Sequence, residues 1–177
     1  MALGTDYAQQ DCSLARALEV VGERWSLLIL RDAFYGVRRF NDFLVHLDIP
    51  RAVLTTRLTA FTEAGVLRKA AYQQSPPRYD YLLTDAGLEL WPVVHGLALW
   101  GGRHATPGGP LRTFHHERCG TRLDAAGGCG RCGVHQVPPA DVEMRSHYGP
   151  QGPERDDPIS AVLAERRLLL RPVRATT

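Results

Sequence analysis

The 177-residue chain is narrowed first by what it lacks. Its densest apolar stretches are Trp25–Leu30 and Leu88–Trp100. Both are too short, or too broken by Gly, His and Pro, to span a bilayer. The opening MALGTDYAQQDCS has no basic region followed by an apolar core. No signal peptide is legible, and the cytoplasm is the expected location. Charge of one sign is missing too. The formal net charge of +2 is too small to identify an anionic partner. Catalytic signatures are also wanting: there is no nucleophile–base constellation, no phosphate-binding glycine loop and no H-E-x-x-H. GGCGRCG imitates a glycine-rich loop only superficially, because no strand precedes it. No enzyme is expected. Cysteine is scarce, with four in all, and three of them lie between His115 and His135. In a reducing compartment such clustering reads as metal or redox chemistry before structural disulfide.

What is present suits a folded chain, since 44% of the residues are hydrophobic. Charge is unevenly spread. Between residues 38 and 83 stand seven basic residues (Arg38, Arg39, Arg51, Arg57, Arg68, Lys69, Arg78) against four acidic ones. That excess suits one basic face on an otherwise neutral module, or ordinary surface scatter.

Periodicity orders the elements. Cys12–Val21 places Leu14, Ala17, Leu18 and Val21 at helical spacing, with Gly22 as its stop. Trp25–Tyr35 reads as a core helix closed by Gly36. Arg39–Leu47 puts Phe40, Phe43, Leu44 and Leu47 on one face. Arg51–Ala64 carries a stripe of Leu54, Leu58 and Phe61 and ends at Gly65. The period then changes. VLRKAAY and RYDYLLT flank the stiff QQSPP, which predicts a hairpin with an exposed tip. Thr84 caps one long helix that Pro92 bends and that ends near Gly101-Gly102. Its apolar side needs a partner. TPGGP is a linker by composition, and GPQGPERDDP is flexible or extended. Asp157-Pro158 opens a last helix of about three turns, running through ISAVLAERRLLL to Pro172. Four helices, a hairpin and a long helix are the order of a winged helix domain. There the third and fourth helices form the helix-turn-helix, the fourth enters the major groove, and the hairpin is the wing.

Several ordered motifs carry a family resemblance over about residues 10 to 105. They are the early Cys before an Ala-Arg-Ala helix, G-x-R-W before the core helix and G-x-x-R-F before the third helix. Leu-x-x-Arg-Leu follows in the fourth helix, and Pro-Pro-Arg-Tyr-x-Tyr leads to Leu-Thr in the wing. In these the chain resembles the HxlR family of bacterial transcription regulators, winged helix proteins similar to the MarR group. The heavy use of Arg over Lys fits a GC-rich genome. The resemblance implies a homodimer on a pseudo-palindromic operator in double-stranded DNA. The first and last helices of the domain would make the dimer interface, through Leu14, Leu90, Val94, Leu97 and Trp100. A small-molecule or oxidant effector is compatible with it.

With Leu54, Leu58 and Phe61 inward, the fourth helix leaves Arg51, Ala52, Thr55, Thr56 and Thr59 toward solvent. Arg51 suits bidentate contact with guanine, or else holds a phosphate. Thr55 and Thr56 suit a base edge or a thymine methyl. Arg57 either meets phosphate or pairs with an acid inside the domain. Arg38 and Arg39 precede the third helix and meet the DNA backbone, or remain solvated. Arg78, behind two prolines, suits a narrow minor groove, or lies on the surface beside Tyr79 or Tyr81. Cys12 begins the first helix, where the helix N-terminus lowers a thiol pKa, with Arg16 one turn on. It is either an oxidant-sensing thiol, as at the matching position of some relatives, or a small buried residue near the dimer interface.

The Cys/His segment repeats itself. H-E-R-C-G (from His116) and C-G-R-C-G (from Cys129) share the form ligand, two spacers, ligand, glycine. Two-residue spacing on a tight turn lets both side chains converge on one ion. A trailing glycine lets backbone amides point at sulfur. The pair predicts a structural zinc ribbon of His116, Cys119, Cys129 and Cys132, with His116 preferred over His115 and His135. A redox disulfide between Cys129 and Cys132 and an inert loop are the other readings. Four ligands leave no open position for water, so a catalytic metal is not expected.

The expected fold is thus mainly α with a small β-hairpin wing: a winged helix-turn-helix domain plus a small C-terminal zinc-binding ribbon and a terminal helix. Its expected parts are a DNA-binding and dimerisation domain (1–105), a linker (106–110), the Cys3His segment (111–148), and a flexible segment with the last helix (149–177). A zinc-dependent protein-interaction module, using the winged domain for protein contacts, is the alternative function.

Overall fold

In the computed structural model, residues 7, 9–148 and 155–173 are described. Four helices come first: α1 (Ser13–Val21), α2 (Ser26–Phe34), α3 (Phe40–Leu47) and α4 (Arg51–Glu63). Each matches its expected span to within a residue or two. Their apolar faces close on a common centre in which Ile29, Leu30, Phe34, Phe43 and Leu54 are wholly buried. The α4 stripe of Leu54, Leu58 and Phe61 is inward as its spacing requires.

The wing is an antiparallel pair, β1 (Leu67–Gln74) and β2 (Pro77–Leu83), with Leu67 opposite Leu83 and Gln74 opposite Pro77. The strands run further than the QQSPP signal suggests. Both glutamines pair, and only Ser75 and Pro76 turn the chain. The start of α3 adds to the wing. Tyr81 donates its amide to the Arg38 carbonyl, and Arg39 bridges Asp80. The wing is thereby fixed to the helix-turn-helix.

The expected bent helix after Thr84 is two helices, α5 (Asp85–Leu88) and α6 (Trp91–His104). Pro92 lies in the first turn of α6, where its missing N–H costs nothing, so it starts a helix rather than bending one. Thr84 does cap α5, accepting from the Gly87 amide. Of the side chains expected on an outer dimer face, Val94 is buried and Leu90 half-buried against the chain's own core. Leu97 and Trp100 are about half exposed, and Val93 joins them. The helix rotates its apolar stripe inward because Trp91 and Val94 have partners within the chain.

Those partners come from α2 and from the tail. β3 (Arg112–His116) pairs with β4 (Val142–Ser146), which pairs with β5 (Arg167–Leu168), all antiparallel. A single 3-10 turn, Pro139–Asp141, precedes β4, and α7 (Pro158–Ala164) lies between β4 and β5. Phe114 of β3 meets Trp91 edge-on at 5.0 Å, and Trp91 meets Phe34 at 5.2 Å. The hydrophobic core therefore runs from α2 through α6 into the tail sheet.

The last helix is shorter than its sequence pattern. Asp157 caps it through the amides of Ile159 and Ser160, but it stops at Ala164. Arg167 and Leu168 extend into β5 instead, because β4 offers them an open edge. The chain then returns across α2. Leu170 and Val173 donate amides to the carbonyls of Phe34 and Gly36. Gly36, at φ +94°, is required there: a Cβ would lie 1.8 Å from the Arg171 carbonyl oxygen. Of the stretch expected to be flexible or extended, 149–158, residues 149–154 lie outside the described residues.

Candidate nucleic-acid interface and metal centre

α4 presents Arg51, Ala52, Thr55, Thr56 and Thr59 to solvent. Arg51 is the first residue of the helix, and its guanidinium rests over the Phe40 ring at 5.2 Å. That contact orients a long side chain while leaving its donors free. Thr55 and Thr56 donate their hydroxyls back to the carbonyls of Arg51 and Ala52. Their methyls and hydroxyl lone pairs are thereby set for an incoming group.

Beside α4, the start of α3 and the wing enclose a cleft of about 410 Å³. Arg39, Asn41, Tyr72, Arg78 and Tyr79 are among its lining residues. Arg39 stacks on Tyr72 at 4.4 Å, and its Nε lies 3.7 Å from Asp80. That pair is long, with more than half of Arg39 exposed, so the arginine keeps most of its charge outward. Burial pushes the Asp42 carboxyl up, against the pull of Arg39. Arg78 sits next to the turn, opposite Gln73, and is exposed.

Two expected DNA contacts are engaged inside the chain. Arg38 donates to the Leu170 carbonyl at 2.9 Å, so it clamps the returning tail. Arg57 stands 4.0 Å from Glu23 and is mostly covered. Tyr72 is absent from the sequence expectations, and Tyr79 and Lys69 enter them only as a neighbour of Arg78 and as one of the basic residues. Lys69 lies 5.9 Å from the Tyr79 ring and 5.8 Å from the Tyr81 ring. The alternation of basic and aromatic residues along RKAAYQQSPPRYDY is the signal that finds them.

Cys12 is the residue before α1 and is exposed in the single chain. The amides of Ala15 and Leu14 hold its thiol below the ordinary value.

The tail ligands converge. The ligand atoms of His116, Cys119, Cys129 and Cys132 all lie within 4.8 Å of one another, with Cys119 Sγ 3.5 Å from Cys129 Sγ and 3.7 Å from His116 Nδ1. Sulfur atoms about 2.3 Å from a tetrahedral zinc stand roughly 3.8 Å apart, so the cluster has zinc dimensions. A disulfide needs about 2.05 Å, and all four cysteines of the chain are free. The donor set and its spacing fit a closed Cys3His site.

The two knuckles share one backbone. His116 donates its amide to the Thr121 carbonyl at 2.9 Å, and Cys129 donates to the Val134 carbonyl at 2.8 Å. In each, the trailing glycine is left-handed, Gly120 at φ +68° and Gly133 at φ +67°. Hydrogen bonds from the side chain and amide of Thr121 pull the Cys119 thiol down to about 6. Beside that sulfur, Cys132 is pushed up to about 11. His115 is excluded from the cluster: Nδ1 donates to the Gly120 carbonyl and Nε2 accepts from Thr113. His135 is exposed.

Comparison with known proteins places this geometry. A family model described as HxlR-like helix-turn-helix matches residues 20–108. The HTH-type transcriptional regulator Rv3095 of Mycobacterium tuberculosis H37Rv is 43% identical over 122 residues, covering 68% of this chain and 77% of that protein. The HTH-type transcriptional regulator YdeP of Bacillus subtilis 168 is 32% identical over 106 residues, covering 58% of this chain and 83% of that protein. The crystal structure of PA1607, a proposed transcription factor, superposes with a TM-score of 0.59 at 32% identity. It covers 66% of this chain and 82% of that one.

Proposed function

This chain belongs to the HxlR-like helix-turn-helix family, and on that premise we propose that it is a DNA-binding transcriptional regulator acting as a homodimer on a pseudo-palindromic operator. The observation that carries the DNA reading is the exposed cationic row of Arg51, Arg39 and Arg78 on the first turn of α4, the start of α3 and the wing. Arg51 reads a base in the major groove, with Ala52, Thr55 and Thr56 beside it. Arg39 holds phosphate, and Arg78 reaches the flanking minor groove. Dimerisation is supported by the exposed apolar side chains Leu14, Val93, Leu97 and Trp100 on α1 and α6. The relatives named above are regulators, and no catalytic role is proposed.

His116, Cys119, Cys129 and Cys132 would hold a structural Zn2+. The ion would supply the folding energy that so short and glycine-rich a stretch cannot obtain from burial. Among the described residues, no helix is long and apolar enough to cross a membrane. We place the protein in the cytoplasm with its DNA.

The exposure of Cys12 and its lowered thiol pKa favour an added response to oxidants. Mass spectrometry after diamide treatment tests it; an unmodified Cys12 with unchanged DNA binding removes the sensor.

The main test is a salt titration on DNA upstream of the protein's own or the neighbouring gene. Arg51→Ala should weaken operator binding by about 1–3 kcal/mol and relax sequence preference. Arg78→Ala should weaken it less. Wild-type binding by both variants would falsify this docking.

A further inference from the structure

A cavity of about 400 Å³ opens between α2, α6 and the strand entering the tail. Its walls are largely apolar, with Leu27, Val94, Leu97 and Phe114 among them. Two arginines line it, and no carboxylate does among the described residues. The arginines differ. Arg31 gives its Nε and Nη2 to Asp32 Oδ1, at 2.9 and 2.7 Å, so its charge is matched. Among the described residues Arg112 has no such acid. Its guanidinium lies between the Tyr35 ring at 5.1 Å and the Tyr148 ring at 5.4 Å. Its Nε is buried with no hydrogen-bond partner among the described residues. A buried donor on a cation is costly to leave unmade.

We propose that this cavity binds a small hydrophobic monocarboxylate, with the carboxylate on Arg112 and the hydrocarbon between α2 and α6. The two features select that chemistry together. A neutral apolar molecule would leave Arg112 unmatched, and a small polar anion would leave the walls wet. A planar guanidinium held between two rings presents its edge to a carboxylate. Arg112 and Phe114 lie beyond residues 20–108, so the tail supplies what the family's shared domain does not. The ligand would touch α2, which packs on α3, and so reach the helix-turn-helix. The proposal rests on the regulator reading only for this consequence, an altered operator affinity.

Calorimetric titration of the full chain with octanoate, and with 1-octanol as its neutral counterpart, tests the site. Saturable octanoate binding is expected, at least about tenfold tighter than that of the alcohol. Arg112→Gln should weaken octanoate by about tenfold or more while leaving the alcohol unchanged. Gly101→Leu should abolish both: residue 101 lines the cavity, and a Cβ there meets nothing within 4 Å. No octanoate binding to folded wild-type protein overturns the proposal. So does equal binding of acid and alcohol, or an Arg112→Gln variant that binds octanoate like wild type. Octanoate binding that appears only when Trp100→Glu yields a monomer assigns the cavity to a second copy, and also overturns it. Mobility shifts on the same preparations separate the two readings. Lost octanoate binding with intact operator binding removes the site alone, whereas failure of the unliganded wild type on DNA removes the regulator reading.

Discussion

The winged part and the Cys/His part of this chain are held together by different physics. The first closes on large apolar side chains; Phe34, Phe43, Phe61, Ile29 and Leu30 are wholly or almost wholly buried. The second has little to bury. Between Glu117 and Gln136 only Leu123 and Cys129 are buried apolar residues. Its backbone is organised by turns and by Asp124 accepting from the Ala126 and Gly128 amides, and it brings the four candidate ligands together. The difference teaches that the tail is not an independent unit. It is anchored where it shares the winged core, through Phe114, and where it returns over α2. Further links are His95 of α6 donating to the Asp124 carbonyl and Arg38 donating to Leu170.

The comparison is tested most severely by removing a candidate metal ligand. Cys129→Ser should take bound zinc from about one per chain to near zero, with a loss on the order of 10 kcal/mol of metal-linked folding energy in the tail. Elemental analysis and hydrogen exchange across residues 112–146 check it. Protein purified without chelator that holds no zinc breaks the metal half of the contrast.

Phe114→Ala comes next. It should cost about 3–5 kcal/mol in urea unfolding. One transition, seen equally by probes in the winged and tail parts, is expected from a shared core. Two separate transitions would return the tail to the status of an appendage.

A buried ion cluster sharpens the winged side. Burial would raise the Asp32 carboxyl, but Arg31 and His46 outweigh it and hold the carboxyl below its ordinary value. His46 Nδ1 lies 2.6 Å from Asp32 Oδ2. A depressed carboxylate contributes stability that is present above its unfolded pKa, near about 3.9, and is lost as pH falls through the folded value. Asp32→Asn should therefore destabilise by about 3 kcal/mol at neutral pH. Its disadvantage should shrink below about pH 4, as read from unfolding curves across pH.

The smallest effect separates two arginines that the sequence treats alike. Arg39→Ala should lower the salt slope of operator binding by about 1. Arg38→Ala should leave that slope unchanged and cost about 1 kcal/mol of stability, because it holds a carbonyl of the tail. A reduced slope for Arg38→Ala would put it back among the DNA contacts.

Much of this was legible along the chain. The spacing of Leu54, Leu58 and Phe61 named the inward face of α4, and hence which residues face out. The repeated ligand-x-x-ligand-Gly form named the four metal candidates, because knuckle geometry is local and glycine-dependent. Legibility failed where a distant segment competed. RRLLL has a helical pattern, yet Arg167 and Leu168 join a strand because the β4 edge is beside them. Val94 and Leu90 sit on an apolar stripe that suits a second copy equally well, until the tail supplies Phe114.

The sequence by itself determined the order of elements as far as the wing, the exposed face of α4 and which four Cys and His residues cluster in the tail. Each depends on periodicity or on residues a few positions apart. Only the tertiary structure decided that the tail shares the winged core, that Arg38 clamps it and that Arg112 faces a cavity with no acid among the described residues. Those outcomes depend on which long-range partner satisfies a buried surface or donor, and that is settled only when distant segments meet.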